Sequence, residues 1–300
     1  MIQNQHDHLS PRLLWILLGL TLAWGFNWTA MKISLAEVSP WTFRTFCLGA
    51  GSGVLFAVLR AGGEPLGVPR GQWGRLVMLA LFNITGWNIL IAYGVSMIPS
   101  GRAAILAYTM PVWSIPLSVL VLGEKITARR AAALIMGMAG MGLLLVEDLA
   151  TLRSAPVGTL LVLGAAVMWG LGTVLQKRFP VAMPLGAYTA WIMLIGGVPI
   201  FVGAALLDFG RPVPEVSIQA ALGVLYNVLI AFAWAHWAWL KLATSLPVTV
   251  FSISMLATPL VGVFSGMLFL GERPSWQEYA ALALVLASLF GVASEKKGAA

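Results

Sequence analysis

Residues 18–32 read LGLTLAWGFNWTAMK, and residues 163–177 read LGAAVMWGLGTVLQK. Leu18-Gly19, Trp24-Gly25 and Lys32 return as Leu163-Gly164, Trp169-Gly170 and Lys177, each 145 positions on. The echo continues downstream. Leu81-Phe82-Asn83 returns as Leu225-Tyr226-Asn227 at an offset of 144. Pro99, Pro111 and Leu122-Gly123-Glu124-Lys125 return as Pro247, Pro259 and Leu270-Gly271-Glu272-Arg273 at 148. Offsets that agree to within a small indel across separate segments mark an internal duplication. The expected units are a first repeat, residues 1–150, and a second, residues 151–300.

The repeated unit is membranous in composition. Hydrophobic side chains make up 59% of the chain and charged ones 10%, with a mean hydropathy of +0.89. A soluble globule carries about 25% charged residues, too many for this chain to cover its surface as one does. The same balance excludes a disordered chain and a nucleic-acid binder with a solvated basic face. The single Cys47 excludes a disulfide scaffold. Ten runs are long enough to span a bilayer as helices: 13–33, 40–60, 73–95, 102–122, 128–147, 156–177, 184–207, 217–240, 246–270 and 275–293. Turn residues separate them, as in Ser39-Pro40 and Gly271-Glu272-Arg273-Pro274-Ser275. Thr127 and Ser275 stand where N-caps belong. The first run follows a basic residue, Arg12, but it is too long for a signal-peptide core and its sequence recurs later. It reads as the first span.

Five helices per unit is an odd number, so the second unit enters the membrane upside down. The charges agree. With ten spans, twelve Lys and Arg fall on the side of the two termini and six on the other, while the acids divide four to seven. The positive-inside rule then places both termini in the cytoplasm. Arg129-Arg130 follows the first Leu-Gly-Glu hinge, as in a cytoplasmic loop, whereas the second is followed by Glu278 and no further base. The expected fold is an all-α integral membrane protein of ten transmembrane helices in two inverted five-helix repeats. Inverted repeats are the architecture of secondary transporters, with the substrate site near the midplane where the halves meet.

The residues quoted above carry a resemblance. Trp24-Gly25-Phe26-Asn27 with Lys32, then Pro40 and Arg44, then Pro111 and Pro259 upstream of the Leu-Gly-Glu hinges, resemble the EamA branch of the drug/metabolite transporter superfamily. Within it, the Trp-rich interior and the length look most like the YddG-type aromatic amino acid exporters of bacterial inner membranes. The resemblance implies export of small metabolites by alternating access, through a cavity bounded by spans 1, 3, 4, 6, 8 and 9.

Polar groups inside spans are costly and therefore candidates for function. Trp24, Asn27 and Met31 share one face of span 1; Asn83 and Trp87 are four apart on span 3; Asn227 and Trp234 are seven apart on span 8. Asn27, Asn83 and Asn227 either hold the polar ends of a ligand or hydrogen-bond helices to one another. Trp24, Trp87, Trp169 and Trp234 lie too deep for the interfacial belt, and either line an apolar cavity or pack as core. Tyr108 and Tyr226 add phenols at a similar level, and Ser254 and Thr258 add hydroxyls on span 9. Pro111, Pro116 and Pro259 interrupt spans 4 and 9, as gating bends or static kinks. Lys32 and Lys177 either attract carboxylates or, as the preferred reading, snorkel to headgroups, and His236 is expected to be a packed, hydrogen-bonded histidine. The small-residue ladders Gly49/Gly53, Ala133/Gly137 and Ala283/Ala287/Gly291 read as scaffold or a partner face.

The remaining chemistry narrows the reading. No carboxylate stands at a span centre, which favours facilitated diffusion over obligatory proton coupling. No phosphate loop, zinc-ligand spacing or Ser/His/Asp set is present, so neither ATP, a cofactor, a metal nor catalysis is expected. The expected partners are a small-molecule substrate and the lipid bilayer, without nucleic acid, in a monomer or homodimer. The preferred substrates are aromatic or apolar amino acids. The alternative is a multidrug or other-metabolite exporter of the same fold, with or without proton coupling.

Overall fold

The computed structural model describes residues 11–150, 155–208, 210, 215–245 and 257–293, and among these there is no β-strand. The helices are α1 (Pro11–Leu35), α2 (Pro40–Ala61), α3 (Trp73–Met97), α4 (Ser100–Leu122), α5 (Ala128–Ala150) and α6 (Ala155–Arg178). They continue as α7 (Leu185–Leu207), α8 (218–245), α9 (Ala257–Leu270) and α10 (Trp276–Ala293). Among the described residues, α1 to α8 are the 8 helices long and apolar enough to cross a membrane.

The turn residues end these helices for identifiable reasons. Ser39 caps α2, its hydroxyl accepting the Thr42 N–H at 3.1 Å, with Pro40 in the first turn where no donor is needed. Thr127 accepts the Arg130 N–H at 3.2 Å. Ser275 and Glu278 form a capping box: the Glu278 N–H reaches Ser275 Oγ at 3.2 Å, and the Ser275 N–H reaches Glu278 Oε2 at 2.8 Å. Both Leu-Gly-Glu hinges turn on a left-handed glycine, Gly123 at φ +69° and Gly271 at φ +63°. That conformation closes a helix C-terminus and strains any residue with a Cβ.

The packing pairs elements across the halves. Helix α2 lies on α7 and α5 on α10; α3 packs on α6 as α1 packs on α8, and α4 on α6 as α9 on α1. Exchanging the halves maps this set of contacts onto itself. Lipid offers no hydrophobic drive to such contacts, so close approach of small residues carries them. The Ala133/Gly137 ladder faces α10, where Ser288 Oγ donates to the Ala133 carbonyl at 2.6 Å. Gly49, Gly53, Ala283 and Ala287 turn outward.

One end of the bundle carries Lys32 and the other Lys177. The core differs between them. At the Lys32 end a single apolar cluster joins both halves, running through Met31, Ile91, Ile98, Leu106, Leu144, Val162 and Val263. Towards the Lys177 end the core divides: Leu55, Leu76 and Tyr188 pack between α2, α3 and α7, and Leu17, Leu20, Ala235 and Leu242 pack between α1 and α8.

Candidate substrate site at two mirrored helix crossings

The Trp-Gly doublets stand where straight helices cross irregular ones. Helix α3 is π-helical over Leu81–Gly86 and α8 over Asn227–Trp234, so both carry the irregular turn near the matched asparagine. Such turns are frequent at functional sites. Helix α4 is interrupted at Tyr108-Thr109, between Ser100–Ala107 and Met110–Leu122.

Gly25 on α1 lies against α9, where a Cβ would run into Val261 and come within 3.3 Å of the Thr258 carbonyl. Gly170 on α6 lies against α4, where a Cβ would come within 3.0 Å of the Met110 carbonyl. Met110 and Thr258 are repeat mates, 148 apart. The glycines of the doublets therefore exist for backbone contact. The tryptophans take the neighbouring helix: Trp24 Nε1 donates to the Ala231 carbonyl of α8 at 3.2 Å. Trp169 meets Trp87 of α3 edge to face, with centroids 5.1 Å apart.

The asparagines are buried and under-satisfied. Asn227 Nδ2 donates to the Gly223 carbonyl at 2.9 Å and Asn88 Nδ2 to that of Ile84 at 2.9 Å. The Oδ1 atoms of Asn27, Asn83, Asn88 and Asn227 are buried without a hydrogen-bond partner. Asn83 presses on Gly172, where a Cβ would overlap its carboxamide, and the Tyr188 phenol lies beside it without completing a hydrogen bond. Buried acceptors left open cost free energy, and a polar ligand or water would repay it.

The expected site residues thus form two groups. Asn83, Trp87 and Trp169 meet at the α3–α6 crossing. Trp24 and Asn227 belong to the α1–α8 crossing, where the Tyr226 phenol donates to the Ala23 carbonyl at 2.8 Å. Tyr108 packs on Trp28, centroids 6.4 Å apart, and lies beside the buried Thr258 hydroxyl. Tyr226 and Trp234 also line an open apolar groove of about 320 Å³ between α1 and α8, so these two do not face the interior alone. Ser254, with Ser252, lies outside the described residues. Pro111 is the second residue after the α4 break rather than its kink; Pro116 is interior to Met110–Leu122; Pro259 is the third residue of α9.

The helix ends depart from the expected snorkelling of Lys32. Its Nζ donates to the carbonyls of Val95, Ser96 and Ile98 at 2.9, 3.0 and 2.9 Å, closing the C-terminus of α3. Glu272 accepts the N–H groups of Ser100 and Gly101 at 2.6 and 3.0 Å, closing the N-terminus of α4. The α3–α4 turn is clamped from both sides, and a buried Arg102–Glu278 pair at 2.8 Å lies next to it. The mates at the other end behave differently. Lys177 pairs directly with Glu124, which also meets Arg130 at 3.1 Å. The Lys177 hydrogen bond holds the Glu124 carboxyl below its usual range. His236 is a packed ring as expected, 5.4 Å from Phe232 and 6.0 Å from Trp24, but its buried Nδ1 completes no hydrogen bond, which departs from the expected hydrogen-bonded histidine.

Arg44 is a buried charge that the sequence pattern does not mark as a site. Arg44, on α2, is 3% exposed and has no acidic partner among the described residues. Its signal was a base inside an apolar run with no acid on an adjacent turn.

Helices of this length and composition, packed as two mirrored sets, define a multi-pass membrane protein. The family model for the EamA-like transporter family matches twice, over residues 12–146 and 156–294. The chain belongs to the EamA-like transporter family, whose members are transporters and not enzymes. It is 26% identical to the uncharacterized transporter YoaV of Bacillus subtilis, over 86% of this chain and 88% of that one. It is 23% identical to a probable amino-acid metabolite efflux pump of Escherichia coli, over 90% and 91% of the two chains. A solved crystal structure superposes with a TM-score of 0.65 at 21% identity, over 94% of this chain and 97% of the other, which establishes the fold alone.

Proposed function

We propose that this transporter exports small amphiphilic metabolites, with aromatic and apolar amino acids as the preferred class, across the bacterial inner membrane. It does so by alternating access of two inverted five-helix repeats, residues 1–150 and 151–300, in ten spans with cytoplasmic termini. The observation that carries the reading is the pair of mirrored crossings, each with a tryptophan beside a buried, under-satisfied asparagine. Such a pair offers an apolar wall and open acceptors on both sides of a pseudo-two-fold. The amino-acid assignment draws further support from the efflux pump of similar sequence.

The two ends support the cycle. With cytoplasmic termini the Lys32 end faces outward, so the clamped turn and joined core seal the outer side, and the divided core lies towards the cytoplasm. In the opposite state the mates exchange roles: Lys177 and Glu124 leave each other to close the cytoplasmic end. Transport is facilitative, driven by the gradient of the exported molecule.

Counterflow in proteoliposomes tests this reading. Vesicles loaded with unlabelled L-tryptophan or L-phenylalanine should accumulate labelled amino acid saturably, equally with and without a pH gradient. Accumulation only with a proton gradient contradicts the facilitative mechanism. Absence of exchange for every amino acid in the panel contradicts the substrate class.

A further inference from the structure

We infer that Arg44 is a carboxylate subsite, taking the anionic end of an amphiphile whose apolar body lies against the α1–α8 crossing; this rests on the transport reading above. Guanidinium is always charged in proteins, and burying it without a counter-ion is costly in a membrane-spanning bundle. Arg44 is buried at 3% exposure, yet its neighbours are weak acceptors. Nη2 donates to the Met31 thioether at 2.8 Å, and Cζ lies 5.2 and 5.8 Å from the Phe43 and Phe232 rings. Nε is buried without a partner. A planar fork of donors set among a thioether, the neighbouring Cys47 thiol and two ring faces has no strong acceptor and suits an arriving carboxylate, which it can grip with two parallel hydrogen bonds.

Its surroundings tie it to the candidate site. Met31 shares a face of α1 with Trp24 and Asn27. Phe232 belongs to the π-helical segment that begins at Asn227, and its ring stacks on His236, which meets Trp24. Arg44 therefore reaches from α2 to the edge of the α1–α8 crossing.

The charge also breaks the symmetry of the repeat. The position 145 residues on is Thr189, whose hydroxyl is used by the Leu185 carbonyl at 2.8 Å. A ligand with one anionic end needs such a cation once. Other basic groups have other work: Lys32 closes α3, Arg102 pairs with Glu278, and Lys177, at the far end, pairs with Glu124.

The test compares L-phenylalanine with L-phenylalaninamide as competitors of labelled L-phenylalanine counterflow, using wild-type, Arg44→Met and Arg44→Lys protein. Liposomes with and without phosphatidylglycerol separate a substrate carboxylate from a lipid phosphate. Wild type should prefer the acid on the order of tenfold to a hundredfold, the range of charge-assisted hydrogen bonds. Arg44→Met should lose that preference without a fall in melting temperature, because an apolar side chain relieves an unpaired buried charge. Arg44→Lys, which keeps the charge but loses the fork, should retain part of it. Equal competition by acid and amide in wild type overturns the subsite while leaving transport intact. So does a preference that survives in Arg44→Met, or one that exists only with phosphatidylglycerol. Wild type that exchanges no labelled amino acid removes the transport reading itself, and the subsite with it.

Discussion

Gly25 and Gly170 show how one absent side chain sets a helix crossing. Each brings a straight helix within contact of a backbone carbonyl, Thr258 in one half and Met110 in the other. Gly25→Val and Gly170→Val should each cost about 1–3 kcal/mol through overpacking. The cost should appear as a lower melting temperature in detergent. Gly53→Val, at a site with nothing within 4 Å, should leave it unchanged. Lys32 and Lys177 make the complementary case. Lys32→Met removes three charge-assisted hydrogen bonds and should cost about 1.5–3 kcal/mol. Lys177→Met, whose side chain is 68% exposed, should cost at most about 1 kcal/mol. The two lysines are equivalent in the sequence. What separates them is acceptors 63 to 66 residues from Lys32, a distance over which no local pattern speaks. That Arg44 has no acidic partner among the described residues is hidden for the same reason, since it depends on the helices packed around it.

At the scale of the element, the hinges were readable because capping chemistry is local. Ser275 and Glu278, Thr127, and the left-handed Gly123 and Gly271 act within a few residues. The π-helical turns were not readable. An apolar run reads much the same whether its carbonyls bond four or five residues on, so 81–86 and 227–234 pass as ordinary helix. The position of the α4 break was half readable: Pro111 announces an interruption, but the chain leaves the helix at Tyr108-Thr109 and Pro111 opens the next segment. There its missing N–H costs nothing to that segment, while the Ala107 carbonyl loses the donor four residues on. Pro111→Ala restores that donor and should join the two parts of α4. The expected result is a counterflow rate several-fold lower with no loss of thermal stability. Pro259→Ala, at the mated position, should behave alike. A rate unchanged in both variants would separate these prolines from gating.

The whole molecule carries one sequence pattern twice, over residues 12–146 and 156–294, and its two ends are alike in sequence yet unlike in structure. The Leu-Gly-Glu hinges, the Trp-Gly doublets and the paired lysines belong to both halves. Among the described residues, the Lys32 end alone shows a clamped turn and a core joined across the halves, and the mated turn near Pro247 lies outside those residues. A symmetric sequence does not encode which end is closed, because under the proposed cycle either state would use the same contacts with the halves exchanged. The proposed alternating access requires reciprocal movement of the two ends, which double electron–electron resonance measures. Nitroxides at Met97 and Phe269, both exposed, report on the Lys32 end across the halves. Nitroxides at Leu120 and Lys241, also exposed, report on the Lys177 end, all in a Cys47→Ala background. Saturating L-phenylalanine should populate a longer distance for the first pair and a shorter one for the second. Distances that stay fixed at both ends, or that change in the same direction, would contradict alternating access.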